Sequence, residues 1–230
     1  MDAGYDFIAT GHYVRNKKNK EKTTLLKGKD KGKDQSYFLH SVRSEALAKS
    51  IFPLGTLNKI EVRKTAKKEG LITSEKKDST GICFIGERPF PEFLNNYIPH
   101  DPGIIEDENG SEIGEHKGLA FYTLGQRQGL GIGGLRHAKN DPWYVAKKNL
   151  EKNTLVVVQG NNHPLLMSSQ LETANLKLVN ELDEKRFNGK AKVRYRQEDQ
   201  DCFIEILDKT LKVKYKEKQR AKTQCQSVVI

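Results

Sequence analysis

Tyr5-Asp-Phe-Ile-Ala-Thr-Gly-His-Tyr-Val14 is the stretch on which the fold turns. Phe7, Ile8 and Ala9 make a short apolar run, and Thr10-Gly11-His12 comes directly after it. The pattern predicts a buried strand that ends in a glycine turn. Helical signals lie downstream. Residues 44–50 read as a helix. Asn58 can cap the next one, with Glu61 three residues on, as in a capping box. Ala66 and Leu71 continue its apolar side, and Gly70 suits its C-terminal cap. A further short helix is expected over residues 91–97. A strand and then helices make the first part α/β. Residues 17–33 interrupt it with eight lysines and few apolar side chains, which predicts an exposed hairpin or loop.

The texture changes after Pro99. His100-Asp-Pro-Gly103 is a turn cluster, and Asn109-Gly110 is a strong hairpin signal. Strands are expected at residues 143–147 and 155–159. Residues 171–230 hold several more short strands and no convincing helix. The expected division is 1–98, an α/β part; 99–162, a small mostly-β domain; and 163–230, a β module. Two strands there alternate sharply. Ala191, Val193 and Tyr195 interleave with Lys190, Lys192, Arg194 and Arg196, so strand periodicity predicts four cations on one face. Leu211, Val213 and Tyr215 interleave in the same way with Lys212, Lys214 and Lys216. An ordinary solvated face would look similar. Two such stripes in one module tilt the reading toward a phosphate-binding surface.

The formal net charge of +10 points to an anionic partner, most simply nucleic acid. No apolar run approaches the length of a membrane span, and the start has no secretory pattern. The cysteines Cys83, Cys202 and Cys225 are odd in number and widely spaced. That spacing suits neither a disulfide scaffold nor a zinc site, so a reducing cytoplasm and no bound metal are expected. Cys83 stands out because Asp78-Ser-Thr-Gly-Ile-Cys-Phe-Ile-Gly86 sets it among small residues. Gly81 and Gly86 leave room for close approach, and Lys76, Lys77 and Arg88 can favour a thiolate. A lone cysteine is also an ordinary small hydrophobe. The glycine run 129–134 resembles a phosphate loop but lacks a strand before it and a helix after it, so it reads as a structural turn.

Several blocks coincide in order: Ala9-Thr-Gly-His-Tyr13, Lys33-Asp-Gln-Ser-Tyr-Phe-Leu39, Asp78 through Gly86, Tyr122-Thr-Leu-Gly-Gln-Arg-Gln-Gly129 with its glycine run, Val193-Arg-Tyr-Arg-Gln197 and Gln226-Ser-Val-Val229. The set resembles the tRNA-specific 2-thiouridylases over nearly the whole chain. That resemblance implies a PP-loop nucleotide-binding α/β domain, a small central domain and a C-terminal β-barrel. It implies ATP, as Mg-ATP, for adenylating the C2 oxygen of a wobble uridine, and a cysteine persulfide as the sulfur carrier. It implies tRNA and a sulfur-donor or relay protein as partners. By motif, Cys83 matches the persulfide-bearing cysteine and Gly11 a backbone contact to ATP. His12, Lys33, Asp34, Gln35, Arg194, Tyr195 and Gln226 match tRNA contacts.

Each match has a plainer reading. His12 can be a strand-end histidine bonded locally, Asp34 and Gln35 can cap the turn or helix after them, and Tyr195 can be core. The family's Ser-Gly-Gly-Val-Asp-Ser-like phosphate loop and its other catalytic cysteine, which pairs with the persulfide cysteine, do not occur in these residues. The family's Pro-Gly-Gln-Ser turn is here Thr223-Gln-Cys-Gln-Ser227. The expectation is a truncated chain, incompetent by itself in catalysis. The alternatives are a tRNA-binding remnant without catalysis and, less favoured, a thiol redox protein built around Cys83.

Overall fold

A computed structural model describes residues 4–76, 97, 100–133, 141–220 and 226–230. The expected helix over 91–97, apart from residue 97, the Cys83 loop and Cys225 fall outside these. The chain divides into two compact units. One comprises Met1–Asp78, Leu171–Lys214 and Ser227–Ile230; the other comprises Ser79–Gln170 and Tyr215–Gln226.

In the first unit, β1 (Ile8–Ala9) pairs in parallel with β4 (Ser50–Ile51), and Ile8 lies opposite Ser50. This pair is exposed rather than buried as expected: Phe7, Ile8 and Ile51 are about half open to solvent. The apolar run is real, but only one strand lies beside it among the described residues. The lysine-rich segment does form a hairpin. Its strands are β2 (Val14–Lys18) and β3 (Thr23–Lys27), and Asn19 N–H closes the turn on the Lys22 carbonyl. Val14 and Leu47 are fully buried, the latter on α1 (Ser44–Ala48).

The second helix, α2 (Lys59–Lys68), has the expected local chemistry. Asn58 and Glu61 form the capping box, and Gly70, at φ +67°, lets Leu71 N–H reach back to the Ala66 carbonyl. No residue of α2 is buried, so its boundaries come from these caps and not from a packed face.

The second unit is built on a sheet of order β6-β5-β8-β7, formed by β5 (Gly103–Glu106), β6 (Glu112–His116), β7 (Trp143–Asn149) and β8 (Thr154–Gln159). Asn109-Gly110 makes the β5–β6 turn, with Gly110 at φ +84° and the Asp107 carboxylate accepting Asn109 and Ser111 N–H. Ile105, Leu119, Tyr122, Leu130, Val145, Leu155 and Val157 pack as its core. The described part of the glycine run is a structural loop. Leu130 enters that core, and just upstream Gly125 and Gln126 exchange backbone hydrogen bonds with Val145. His116, 1 % exposed, bonds the Asn153 carbonyl and accepts Gly118 N–H, which makes it a structural histidine.

The C-terminal strands are β9 (Met167–Glu172), β10 (Arg186–Ala191), β11 (Gln200–Leu207) and β12 (Thr210–Arg220), in sheet order β10-β11-β12-β9. The division between units falls across β9 and β12. The expected barrel is not closed among the described residues. β10 pairs along its length with β11 alone, and its far side meets only the single bridge of Lys192 to Val229.

Residues 211–216 alternate as expected: Leu211, Val213 and Tyr215 are buried while Lys212, Lys214 and Lys216 are exposed. Residues 190–196 do not. β10 stops at Ala191 and the chain turns. Val193 N–H donates to the Gln197 side-chain oxygen and Gln197 N–H to the Arg194 carbonyl, so the four cations do not share a strand face.

Candidate nucleic-acid interface

Lys192 shows why the stripe fails. It is 8 % exposed, and its ammonium faces the Asp34 carboxylate at 3.9 Å. The same nitrogen lies 5.8 Å from the Tyr37 ring centroid and makes a long, 3.5 Å bond to the Tyr195 carbonyl. A lysine buried this way is held by an opposite charge and an aromatic face, not offered to solvent. Arg194 and Arg196, on the turn itself, remain exposed.

Asp34 is buried too. Its Oδ1 accepts Gly28 N–H at 2.9 Å and Ser36 N–H at 3.3 Å, and its Oδ2 accepts the Ser36 hydroxyl at 2.8 Å. Gln35 is tied to Tyr13 twice. Its side-chain oxygen accepts Tyr13 N–H, and its own N–H donates to the Tyr13 carbonyl. The plainer reading, a cap or turn-former, describes Asp34, which accepts from Ser36; the Gln35 side chain makes no cap bond and ties the segment to Tyr13 instead. Lys33 is half-buried beside them.

Tyr37, one residue past Ser36, locks this segment to the C-terminal sheet. Its hydroxyl proton is shared between the Ser227 carbonyl at 2.9 Å and the Val193 carbonyl at 3.2 Å, the latter 156 residues away in sequence. Burial pushes its phenol pKa up, so it stays a donor. Lys27 pairs with Asp199, and the Asn180 side-chain amide donates to the Thr23 carbonyl across the same junction. Tyr195 is half-buried, its ring 4.5 Å from that of Phe38 and 6.4 Å from that of Tyr37.

The first unit thus joins Lys33, Asp34 and Gln35 to Arg194 and Tyr195, and through Tyr13 to the His12 end. His12 is half-buried with its Nδ1 2.6 Å from Thr10 Oγ1, a local bond of the kind a strand-end histidine makes. Gly11 is exposed, and a Cβ there would meet only Leu54 at an ordinary 3.8 Å. Gln226 is exposed, directly before Ser227. Cys202 is a free, buried thiol that donates to the Gly189 carbonyl; burial, then Asp201, raises its pKa. It is poorly suited to attack anything. Sequence reasoning missed Tyr37 and Phe38 as parts of this site, and it took Lys192 for a surface cation. The only signal was that Tyr37 and Phe38 lie inside the motif Lys33-Asp-Gln-Ser-Tyr-Phe-Leu39.

Three aromatic residues, a buried ion pair and exposed arginines come together here from segments far apart in sequence, and they define a β module with a basic turn packed on the segment 33–39. Comparison with known proteins narrows this. A tRNA methyl transferase HUP domain model matches residues 1–87, a tRNA methyl transferase PRC-barrel domain model residues 91–159, and an aminomethyltransferase beta-barrel domain model residues 168–230.

The tRNA-specific 2-thiouridylase MnmA of Pseudomonas aeruginosa (strain UCBPP-PA14) is 55 % identical over 227 residues, which is 98 % of this chain and 60 % of that protein. The proteins of the same name from Marinobacter nauticus and Pseudomonas fluorescens (strain Pf0-1) are 52 % and 54 % identical over 230 residues, 59 % and 62 % of their lengths. The chain belongs to the tRNA-specific 2-thiouridylase family. It spans about 60 % of the length of the relatives it matches. No helix among the described residues is long and apolar enough to cross a membrane.

Proposed function

We propose that this chain carries the tRNA-gripping and sulfur-bearing parts of a cytoplasmic tRNA-uridine 2-sulfurtransferase. The observation that carries the reading is the junction in the first unit. Two segments that the family resemblance assigns to tRNA, Lys33-Asp-Gln35 and Arg194-Tyr195, adjoin through Lys192–Asp34 and Tyr37–Val193 although far apart in sequence. Arg194 and Lys33 supply charge to phosphate. Asp34 and Gln35 shape the loop that presents them, and Tyr195 supports Arg194. His12 and Gln226 are further tRNA contacts in this reading, taken from the family motif. The three-part organisation 1–98, 99–162 and 163–230 belongs to this reading.

Cys83 is the proposed persulfide carrier. Its outer sulfur attacks uridine C2, forming a C–S bond, and the C2–oxygen bond breaks toward the activating group. A second thiol must then cut the S–S bond to Cys83, which leaves the sulfur on the tRNA and a disulfide on the protein. ATP would supply the adenylyl group that makes the C2 oxygen a leaving group. Gly11 fits a nucleotide contact because the protein itself sets no steric demand for glycine there. A thiol reductant must open that disulfide before a sulfur-donor protein can reload Cys83. A polypeptide of these 230 residues alone is expected to bind tRNA without thiolating it.

The test is a chimera in which this chain replaces the matched 227 residues of the Pseudomonas aeruginosa relative. It is incubated with tRNA, ATP and a sulfur donor, and the wobble uridine is read by mass spectrometry. The mass gained distinguishes sulfur-for-oxygen exchange from methylation. Cys83→Ser should abolish 2-thiouridine and spare tRNA binding, while Cys202→Ser should remain active. Normal 2-thiouridine formation by the Cys83→Ser protein would falsify the assignment.

A further inference from the structure

Phe38 lies in the helical turn Ser36–Leu39 with 53 % of its surface exposed. Its neighbours in that turn are engaged, Ser36 with Asp34 and Tyr37 with Val193 and Ser227. The Phe38 ring is fixed as well, 4.5 Å from the Tyr195 centroid at 42° and 5.7 Å from the Tyr37 centroid at 85°. Single exposed apolar side chains are ordinary, so exposure alone means little. The surroundings mean more. Lys33 precedes the turn, and the exposed Arg194 and Arg196 flank Tyr195 in sequence.

A ring held against two tyrosines, 53 % exposed, with arginines on both sides of Tyr195 in sequence, suits one ligand chemistry. An unpaired base offers a π-face, and its phosphates answer the cations. An acidic peptide would use the cations and leave the ring idle. A continuous duplex would present phosphates but no open base face. Because Tyr37 and Tyr195 already hold the ring, little ordering is lost when a base lands on it.

We propose that Phe38, backed by Tyr195, is a stacking platform for an unpaired nucleobase of the bound tRNA. The proposal rests on the tRNA-binding reading above and adds a residue to it. It is tested by the affinity of the 230-residue chain for a labelled, unmodified tRNA transcript. Phe38→Ala and Phe38→Leu should each weaken binding about fivefold or more, while Phe38→Trp should stay within about twofold. The salt dependence should not change, since no charge moves. The added tryptophan in Phe38→Trp, measured against a wild type whose sole tryptophan is Trp143, should be quenched by tRNA. That readout holds even where the alanine variant loses its fold. A leucine variant that binds like wild type overturns the platform. So does an equal dependence on Phe38 for a fully paired RNA duplex. If wild type shows no salt-sensitive tRNA binding, the underlying reading fails and the platform goes with it; if wild type binds and Phe38→Leu binds equally, only the platform fails.

Discussion

Gly11, Gly28 and Gly55 lie in one part of the fold yet answer to different neighbours. A Cβ on Gly28 would collide with the Tyr13 carbonyl, and one on Gly55 with the Val14 carbonyl. Those two glycines let backbones approach closely. Gly11 has no such neighbour and no left-handed φ. Gly11→Ala should therefore change stability by less than about 0.5 kcal/mol in a denaturant melt. In the chimera the same substitution should lower ATP-dependent thiolation. A clear loss of stability, or undiminished thiolation, would put the reason for this glycine inside the protein instead of in its ligand.

Among elements, the decisive one is the turn at residues 193–197. Lys192 enters it buried against Asp34 and Tyr37, so its role is to hold the turn in place. Lys192→Met keeps the stem and removes the charge, leaving the Asp34 carboxylate with its hydrogen bonds but no counter-ion. The expected cost is up to about 3 kcal/mol of stability, because one partner of a buried pair is gone. tRNA binding should weaken while its salt slope stays as in wild type. A slope that falls as it would for a lost phosphate contact would return Lys192 to the surface.

The same turn marks where sequence ceases to be legible. Period-two alternation held at residues 211–216 because β12 runs unbroken through that stretch, between β11 and β9 in the sheet. It misled at 190–196 because the Gln197 side chain takes the Val193 N–H, and no periodicity announces such a bond. Caps such as Asn58–Glu61 and Gly70 were readable since they are local. The exposure of β1 was not, because it depends on what lies beside the strand and not on the strand's own residues. The residues of the candidate interface were legible through motif order alone; which of them are buried came only from contacts between distant segments.

For the whole molecule, the net charge of +10 points to an anionic partner, but its distribution matters more than its size. Part of the cationic count is internally balanced: Lys192 by Asp34, Lys27 by Asp199, Lys212 by Glu172 and Lys190 by Asp201. Arg194, exposed on the turn beside Tyr195 and matched by motif to a tRNA contact, is the cation at which the proposed binding is tested. The most direct measurement is tRNA affinity across a salt titration for the wild-type chain and for Arg194→Ala. Affinity should fall steeply with salt in wild type, with a slope reduced by about one in the variant as one phosphate contact is lost. Affinity that is flat in salt, or an Arg194→Ala protein with unchanged affinity and slope, would contradict a tRNA-binding role for this surface.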